Sequence, residues 1–385
     1  MSDPVRHLEL ALDLTAVPSD PVGAGRYSIE IARALAQRAD ITTMLFVRRA
    51  DQQRWEQLRL EHEQSVRLMA DAPRSRPLRL LYAEFGLGRD ASRFESEIEV
   101  FHGPHYQMPR ALKVPAVVTV HDLTFVEHPE WHERSKVVLF RRAMRYSAAH
   151  AGVIVCVSQH TATRFSEHFH PAGEVHVITH GVDHARFHPS VDLAADDAVI
   201  SELGIRVPYV VHVGTLEPRK NIPNLIRAFD VVADRHRDLC LVLAGQLAWG
   251  RDELMRAIAE SRHSLQIIQL GYIRDDCVAP LLRRAVAVAY PSIEEGFGLP
   301  ALEALACGSP LVTTVGSVMA EFAGDAALCV DPNSVDALAL ALLEIIAGGE
   351  AVNARREQGI VRAREFTWAR SAQLHVEAYR AALDR

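Results

Sequence analysis

No stretch of the 385 residues reaches the ~18 uninterrupted apolar positions that a membrane-spanning helix needs. The segment from Met1 to Arg6 also lacks an apolar run behind a basic start, so a cytoplasmic location is the expectation. The five cysteines, Cys156, Cys240, Cys277, Cys307 and Cys329, are odd in number, far apart and without a C-x-x-C pair, which disfavours a disulfide framework and a zinc site. They read as small buried apolar residues. No low-complexity tract interrupts a composition of 49% hydrophobic and 24% charged residues, so neither disorder nor a fibrous class is suggested. Strongly basic segments interleaved with aromatics are missing, and with them the signature of a nucleic-acid-binding domain. The G-x-G-x-x-G pattern occurs nowhere, which weakens a dinucleotide-dependent oxidoreductase.

What is present reads as two domains, since the chain exceeds the size at which one core usually keeps growing. Charge divides the same way: residues 1–190 hold 23 Lys+Arg against 23 Asp+Glu, and the remainder holds 19 against 26, which supplies the whole net charge of −7. Fifteen of the nineteen histidines precede residue 190, so mild acidification is expected to make the first half the basic one. Short β-branched runs alternate with helical patterns. His7 to Leu14, Thr42 to Val47, Ile98 to His102, Val114 to Val120, Val153 to Val157 and Val175 to Thr179 read as strands of a first doubly wound α/β domain. A stretch of turn residues follows, with Pro189, Ser190, Asp192, Asp196, Asp197, Gly204 and Pro208, and is expected to be the linker. A second series has strands at Tyr209 to Thr215, Leu239 to Ala244, Ile267 to Gly271, Val286 to Tyr290, Leu311 to Thr314 and Ala327 to Val330, then helical patterns to Leu383. In such sheets ligands bind beyond the carboxyl ends of the strands.

The segment from Pro291 to Glu303 follows the apolar strand ending at Tyr290. Gly296 and Gly298 permit close backbone approach, and Pro300 pre-sets a helix whose N-terminus can seat a diphosphate. Glu295 is expected in the loop and Glu303 in the helix's first turn. The plainer reading is a glycine turn with a glutamate favourably placed near a helix start. After the strand ending at Val213, Gly214-Thr215-Leu216-Glu217-Pro218-Arg219-Lys220-Asn221 puts two cations at a strand end, with Asn221 a candidate N-cap. Fixed cations there would stabilise charge growing on a departing diphosphate; a solvated turn is the alternative. In the first half, Pro21-Val22-Gly23-Ala24-Gly25-Arg26-Tyr27 opens a helix after a strand. His121-Asp122 ends another strand, with His102-Gly103 a weaker candidate of the same kind; a hydrogen-bonded core histidine is the alternative for each. His128 and His132 are four apart, but Pro129 breaks a regular helical pair, so an incidental surface pair is expected. Arg74, Arg76, Arg79, Leu80, Leu81, Tyr82 and Phe85 would suit either an anionic membrane surface or an ordinary amphipathic helix.

Glu295 and Glu303, eight positions apart around Gly-Phe-Gly-Leu-Pro, resemble the E-x7-E signature of glycosyltransferase family 4, and the run from Glu303 to Pro310 continues the likeness. The segments Gly214 to Asn221 and Thr119 to Leu123 are similar to a bacterial subgroup rich in mannosyltransferases. The resemblance implies a GT-B fold, two Rossmann-like doubly wound domains facing across a cleft. Residues 1–190 would bind the acceptor and 207–365 the nucleotide-sugar, with 366–385 a helix returning to the first domain. It implies retention of anomeric configuration, with Glu295 on hydroxyls of the transferred sugar, Glu303 on the ribose and His121 near the donor sugar. Arg219 and Lys220 would hold the diphosphate, although the position after Gly214, often Arg in the family, is Thr215 here. Gly23 and Gly25 would approach diphosphate and acceptor. The donor surface would be completed by Gly214, Gly296, Phe297, Gly298, Leu299 and, beside the base, Tyr272. No D-x-D occurs, so no metal and no cofactor is expected, only a nucleotide-sugar substrate. The subgroup likeness points to mannose from GDP-mannose and a glycan or lipid-linked acceptor, with possible peripheral contact at the inner membrane face. A nucleotide-sugar epimerase or hydrolase of the same fold, or an idle nucleotide-binding module, are the alternatives.

Overall fold

The computed structural model describes residues 6–18, 21–72, 96–110, 112–190 and 192–385. The stretch 74–85, considered above for membrane contact, lies outside them. Among the described residues no helix is long and apolar enough to cross a membrane. The chain forms two compact units, Met1–Gly181 with Trp368–Arg385, and Val182–Thr367.

The first unit is built on β1 (Leu8–Asp13), β2 (Ile41–Arg48), β3 (Val66–Ala72), β4 (Val100–Gly103), β5 (Ala116–Val120), β6 (Val153–Cys156) and β7 (Glu174–Val177). These make one seven-stranded sheet in the order β3-β2-β1-β4-β5-β6-β7, and every pairing is parallel. Every residue of β4, β5 and β6 is buried, as expected of strands covered on both faces. β3 was not expected: Arg67 and Asp71 break its apolar run, which an edge strand tolerates because, among the described residues, it pairs on one side only. The helix Trp368–Leu383 buries Ala372, His375, Val376, Tyr379 and Ala382, a stripe at helical spacing. That stripe joins the core of Leu10, Tyr27, Ile31 and Val153.

The second unit has β8 (Tyr209–Val213), β9 (Cys240–Ala244), β10 (Ile267–Gly271), β11 (Ala287–Ala289), β12 (Leu311–Thr314) and β13 (Ala327–Val330). Its six-stranded sheet runs β10-β9-β8-β11-β12-β13, again parallel throughout. The expected linker is not one. The division between units falls at Gly181 rather than between 190 and 207, and the helix Leu193–Glu202 belongs to the second unit. The aspartates that read as turn formers have structural partners: Asp192 caps that helix by accepting from the Ala195 amide at 3.0 Å, and buried Asp196 accepts from Arg283 Nε at 2.8 Å.

Strand order reverses between β1 and β4 in the first sheet and between β8 and β11 in the second. At such switch points the loops leaving the carboxyl ends diverge and open a crevice. The glycine loop follows β1, the two cations follow β8 and Glu295 follows β11.

Candidate active site

In the second unit β8 hands over to Gly214, and the chain turns through Pro218–Lys220 before the helix Ile222–Ala233. The loop after β11 docks on this turn, with the Ile293 amide donating to the Arg219 carbonyl at 2.8 Å. Asn221 is not an N-cap by its side chain. It takes the left-handed conformation at φ 59, and its amide donates to the carbonyls of Pro291 at 3.1 Å and Pro332 at 2.7 Å, tying three loops together. Gly245, after β9, was overlooked in the sequence: a Cβ there would sit 1.9 Å from the Gly214 carbonyl, so only glycine lets the two loops approach.

Arg219, Lys220 and Glu295 converge at this switch point. Arg219 Nη1 donates to Glu295 Oε2 at 2.5 Å and to the Glu294 carbonyl at 3.2 Å, while its Nε pairs with Glu217. Lys220 Nζ pairs with Glu295 Oε1, which also accepts from Ser292 Oγ at 2.9 Å. Glu217, Lys220 and Glu295 are all buried. Burial alone would push the Glu295 carboxyl up, but the charges and hydrogen bonds of Arg219 and Lys220 outweigh it and hold the group at about 2. For Lys220, burial and the neighbouring Arg219 push the ammonium's pKa down, against the pull of Glu295.

The helix Leu299–Ala306 begins after Gly298 and carries Pro300 in its first turn, as expected. Gly298 has φ 89 and its missing Cβ would lie 2.6 Å from Met319 Cγ. Glu303 is in the second turn, not the first, because the helix starts only at Leu299; its side chain is buried. Phe297 and Leu299 are buried as well, and the Phe297 ring packs 5.3 Å from Phe322. Their side chains therefore belong to the core, and from Gly296 to Leu299 the backbone is what this segment can offer a phosphate. Tyr272 follows β10 and is 52% exposed. His212, not singled out in the sequence, lies fully buried in β8. Its Nδ1 donates to the Ala289 carbonyl at 2.9 Å, leaving Nε2 as an acceptor without a hydrogen-bond partner, toward Gly214. Burial lowers its pKa to about 4, so it is neutral.

In the first unit Gly23, at φ 49, precedes the helix Ala24–Ala36, and a Cβ on Gly25 would press on Pro18 at 3.1 Å. His121 is buried at the end of β5, where its Nε2 donates to the Pro104 carbonyl at 2.7 Å. Tyr27 lies edge-on to it at 5.0 Å and the His180 ring is 5.8 Å away. His102 faces inward, bonded to Thr119 and Tyr379, and so packs the core rather than lining a surface. Burial drives the pKa values of His102 and His375 down, and with both neutral these bonds form a chain with one direction. His375 Nδ1 must donate to the Ser371 carbonyl at 2.7 Å, so its Nε2 accepts from the Tyr27 hydroxyl at 2.8 Å. Tyr27 then accepts from Thr119 at 3.0 Å, Thr119 from His102 Nε2 at 2.8 Å, and His102 Nδ1 from Tyr379 at 2.8 Å.

The expectation that mild acidification charges the first half's histidines fails for this cluster. Burial lowers His102, His121 and His180 as well, and takes His105 to about 3. His128 stacks on Trp131 at 3.9 Å and His132 bonds Thr124 at 2.9 Å. Among the described residues no group of three His, Cys, Asp or Glu side chains is placed to hold a metal ion. The four described buried cysteines, Cys156, Cys240, Cys277 and Cys307, are free thiols, and Cys329 is half-buried and free.

Two parallel Rossmann-like sheets, one with a buried cation pair and a helix start at its switch point, are the fold of a GT-B glycosyltransferase. Solved structures agree on the fold: sucrose-phosphate synthase from Thermosynechococcus elongatus superposes with a TM-score of 0.77 at 21% identity, covering 97% of this chain and 98% of that one. WaaG, a glycosyltransferase involved in lipopolysaccharide biosynthesis, gives 0.74 at 15% identity over 96% and 99%. Residues 21–186 match the model of Glycosyltransferase Family 4 and residues 199–362 that of Glycosyl transferases group 1. The chain belongs to the glycosyltransferases of the family 4 type. It is 28% identical over 365 residues to the O-antigen chain mannosyltransferase B of Escherichia coli, covering 93% of this chain and 96% of that protein. To a GDP-mannose-dependent alpha-(1-6)-phosphatidylinositol dimannoside mannosyltransferase of Mycobacterium tuberculosis it is 32% identical over 234 residues, covering 59% of this chain and 57% of the relative.

Proposed function

We propose that this glycosyltransferase moves mannose from GDP-mannose, with retention and without a metal, onto a hydroxyl of a growing glycan or lipid-linked acceptor at the cytoplasmic membrane face. The observation that carries the reading is the convergence of Arg219, Lys220 and Glu295 at the β8 and β11 carboxyl ends. The mannosyltransferase names of its relatives supply the sugar, and one of those names supplies the nucleotide.

In this mechanism the bond from the sugar's anomeric carbon to the diphosphate oxygen breaks while the acceptor oxygen attacks from the same face. The acceptor's proton passes to the departing phosphate, and no covalent glycosyl-enzyme forms. Negative charge grows on the diphosphate, where Arg219, Lys220 and the backbone amides before the helix Leu299–Ala306 lower the transition state more than the ground state. Glu295 positions the sugar, and Glu303 takes the ribose hydroxyls. No metal is required where fixed cations and a helix end neutralise the leaving group.

The test is kcat/KM at fixed acceptor for donors in which base and sugar vary independently, among them GDP-mannose, GDP-glucose, UDP-glucose and dTDP-rhamnose. GDP-mannose is expected to win. A clear win for UDP-glucose or dTDP-rhamnose rejects the mannose assignment and leaves the family membership intact.

A further inference from the structure

Resting on the donor reading above, we infer that Glu295 distinguishes an intact nucleotide-sugar from bare nucleotide diphosphate by exchanging partners. Both of its carboxylate oxygens are engaged: Oε2 by Arg219 at 2.5 Å, Oε1 by Lys220 and by Ser292 at 2.9 Å. Glu217 holds Arg219 from the other side. Two cations and two carboxylates sum to zero, so an arriving diphosphate meets a neutral cluster. The Glu295 carboxylate sits in the fork of charged donors that phosphate oxygens would take.

Arg219 and Lys220 can turn to a diphosphate only if Glu295 gives them up. A buried carboxylate stripped of its cations is strongly unfavourable unless other donors replace them. Sugar hydroxyls are such donors, each presenting an O–H to a carboxylate oxygen. An intact donor therefore brings both the anion that takes the cations and the hydroxyls that take the carboxylate. Bare nucleotide diphosphate brings only the first. The exchange lowers affinity for the product relative to the donor and so speeds product release. Its geometry suits a side-chain movement: the Ser292 carbonyl accepts from Thr314 Oγ1 at 2.8 Å and the Ile293 amide is held by Arg219's carbonyl, so the loop backbone stays anchored while the carboxylate swings. Glu217 has no such second partner in the donor sugar and remains on Arg219.

The test is calorimetric titration with GDP, UDP, ADP and dTDP and with one sugar form of whichever binds wild type most tightly. Glu295→Gln should tighten the bare diphosphate ~10-fold by removing the competing charge, and should lower the preference for the sugar form over the bare one by a similar factor. Glu217→Gln, which removes the other carboxylate, should tighten both ligands alike and keep the preference. A Glu295→Gln protein that binds the bare diphosphate no more tightly than wild type, or keeps the wild-type preference, overturns the inference. Loss of binding in Lys220→Met alongside that result rejects the exchange and leaves the donor reading standing. A wild type that binds none of the four diphosphates rejects both.

Discussion

Replacing Glu295 by glutamine isolates one titration in a chain with many. The carboxyl sits at about 2 in the folded protein against an ordinary 4.5. Each unit of difference is 1.36 kcal/mol, so the ionised group contributes about 3 kcal/mol of stability. Because the folded value is the depressed one, that contribution is complete above pH 4.5 and is lost as pH falls through 2. By pH 3 about 2 kcal/mol is gone, and the remainder goes below it. Glutamine keeps the size, and its one carbonyl oxygen can still accept from Lys220 and Ser292 or from Arg219, though not from all three, and it does not titrate. Urea unfolding of wild type and Glu295→Gln at a series of pH values between 7 and 3 therefore gives two curves whose separation shrinks by about 2 kcal/mol. Acid-labile groups outside this cluster act on both proteins and cancel. Curves that fall in parallel would refute the claim that this ion pair holds the carboxyl down.

Glu303→Ala should raise the dissociation constant for bare nucleotide diphosphate, read by titration, because the ribose loses its acceptor; unchanged affinity would remove the ribose role. Tyr27→Phe leaves buried His375 Nε2 and Thr119 Oγ1 without their shared partner and should cost roughly 1–3 kcal/mol in denaturant unfolding, with rescue absent at any pH between 6 and 8. Transfer should survive EDTA if, as proposed, Arg219 and Lys220 neutralise the leaving group; complete loss on chelation, restored by magnesium or manganese, would contradict metal-free chemistry.

The strands and the loops that follow them could be read from the sequence because both sheets are parallel and buried, which writes them as apolar runs such as Ala116 to Val120 and Leu311 to Thr314. β3 escaped because an edge strand tolerates Arg67 and Asp71. The helix Leu193–Glu202 escaped because an aspartate signals a turn and a helix cap with the same chemistry, and only the contact with Arg283 decides between them. At the site, Arg219, Lys220 and Glu295 were legible as residue types placed at strand ends, whereas their mutual pairing was not. Seventy-odd residues separate the two loops, and nothing local says that Glu295 will pair with both cations. Asn221 shows the same limit: its position before a helix suggests a cap, but its left-handed backbone aims the amide at Pro291 and Pro332 instead. His212 and Gly245 carry no motif at all. Their significance lies in a lone pair and a carbonyl brought near by other strands.

The claim that this site transfers sugar is tested most directly with GDP-mannose labelled in the sugar, incubated with acceptor lipid extract and either wild type or Lys220→Met. Label should enter the acceptor with wild type and do so ~10²–10³-fold more slowly with the variant, the loss expected when one preorganised charge is removed from a leaving-group site. Label appearing as free sugar irrespective of acceptor, or transfer by Lys220→Met at the wild-type rate, would contradict it.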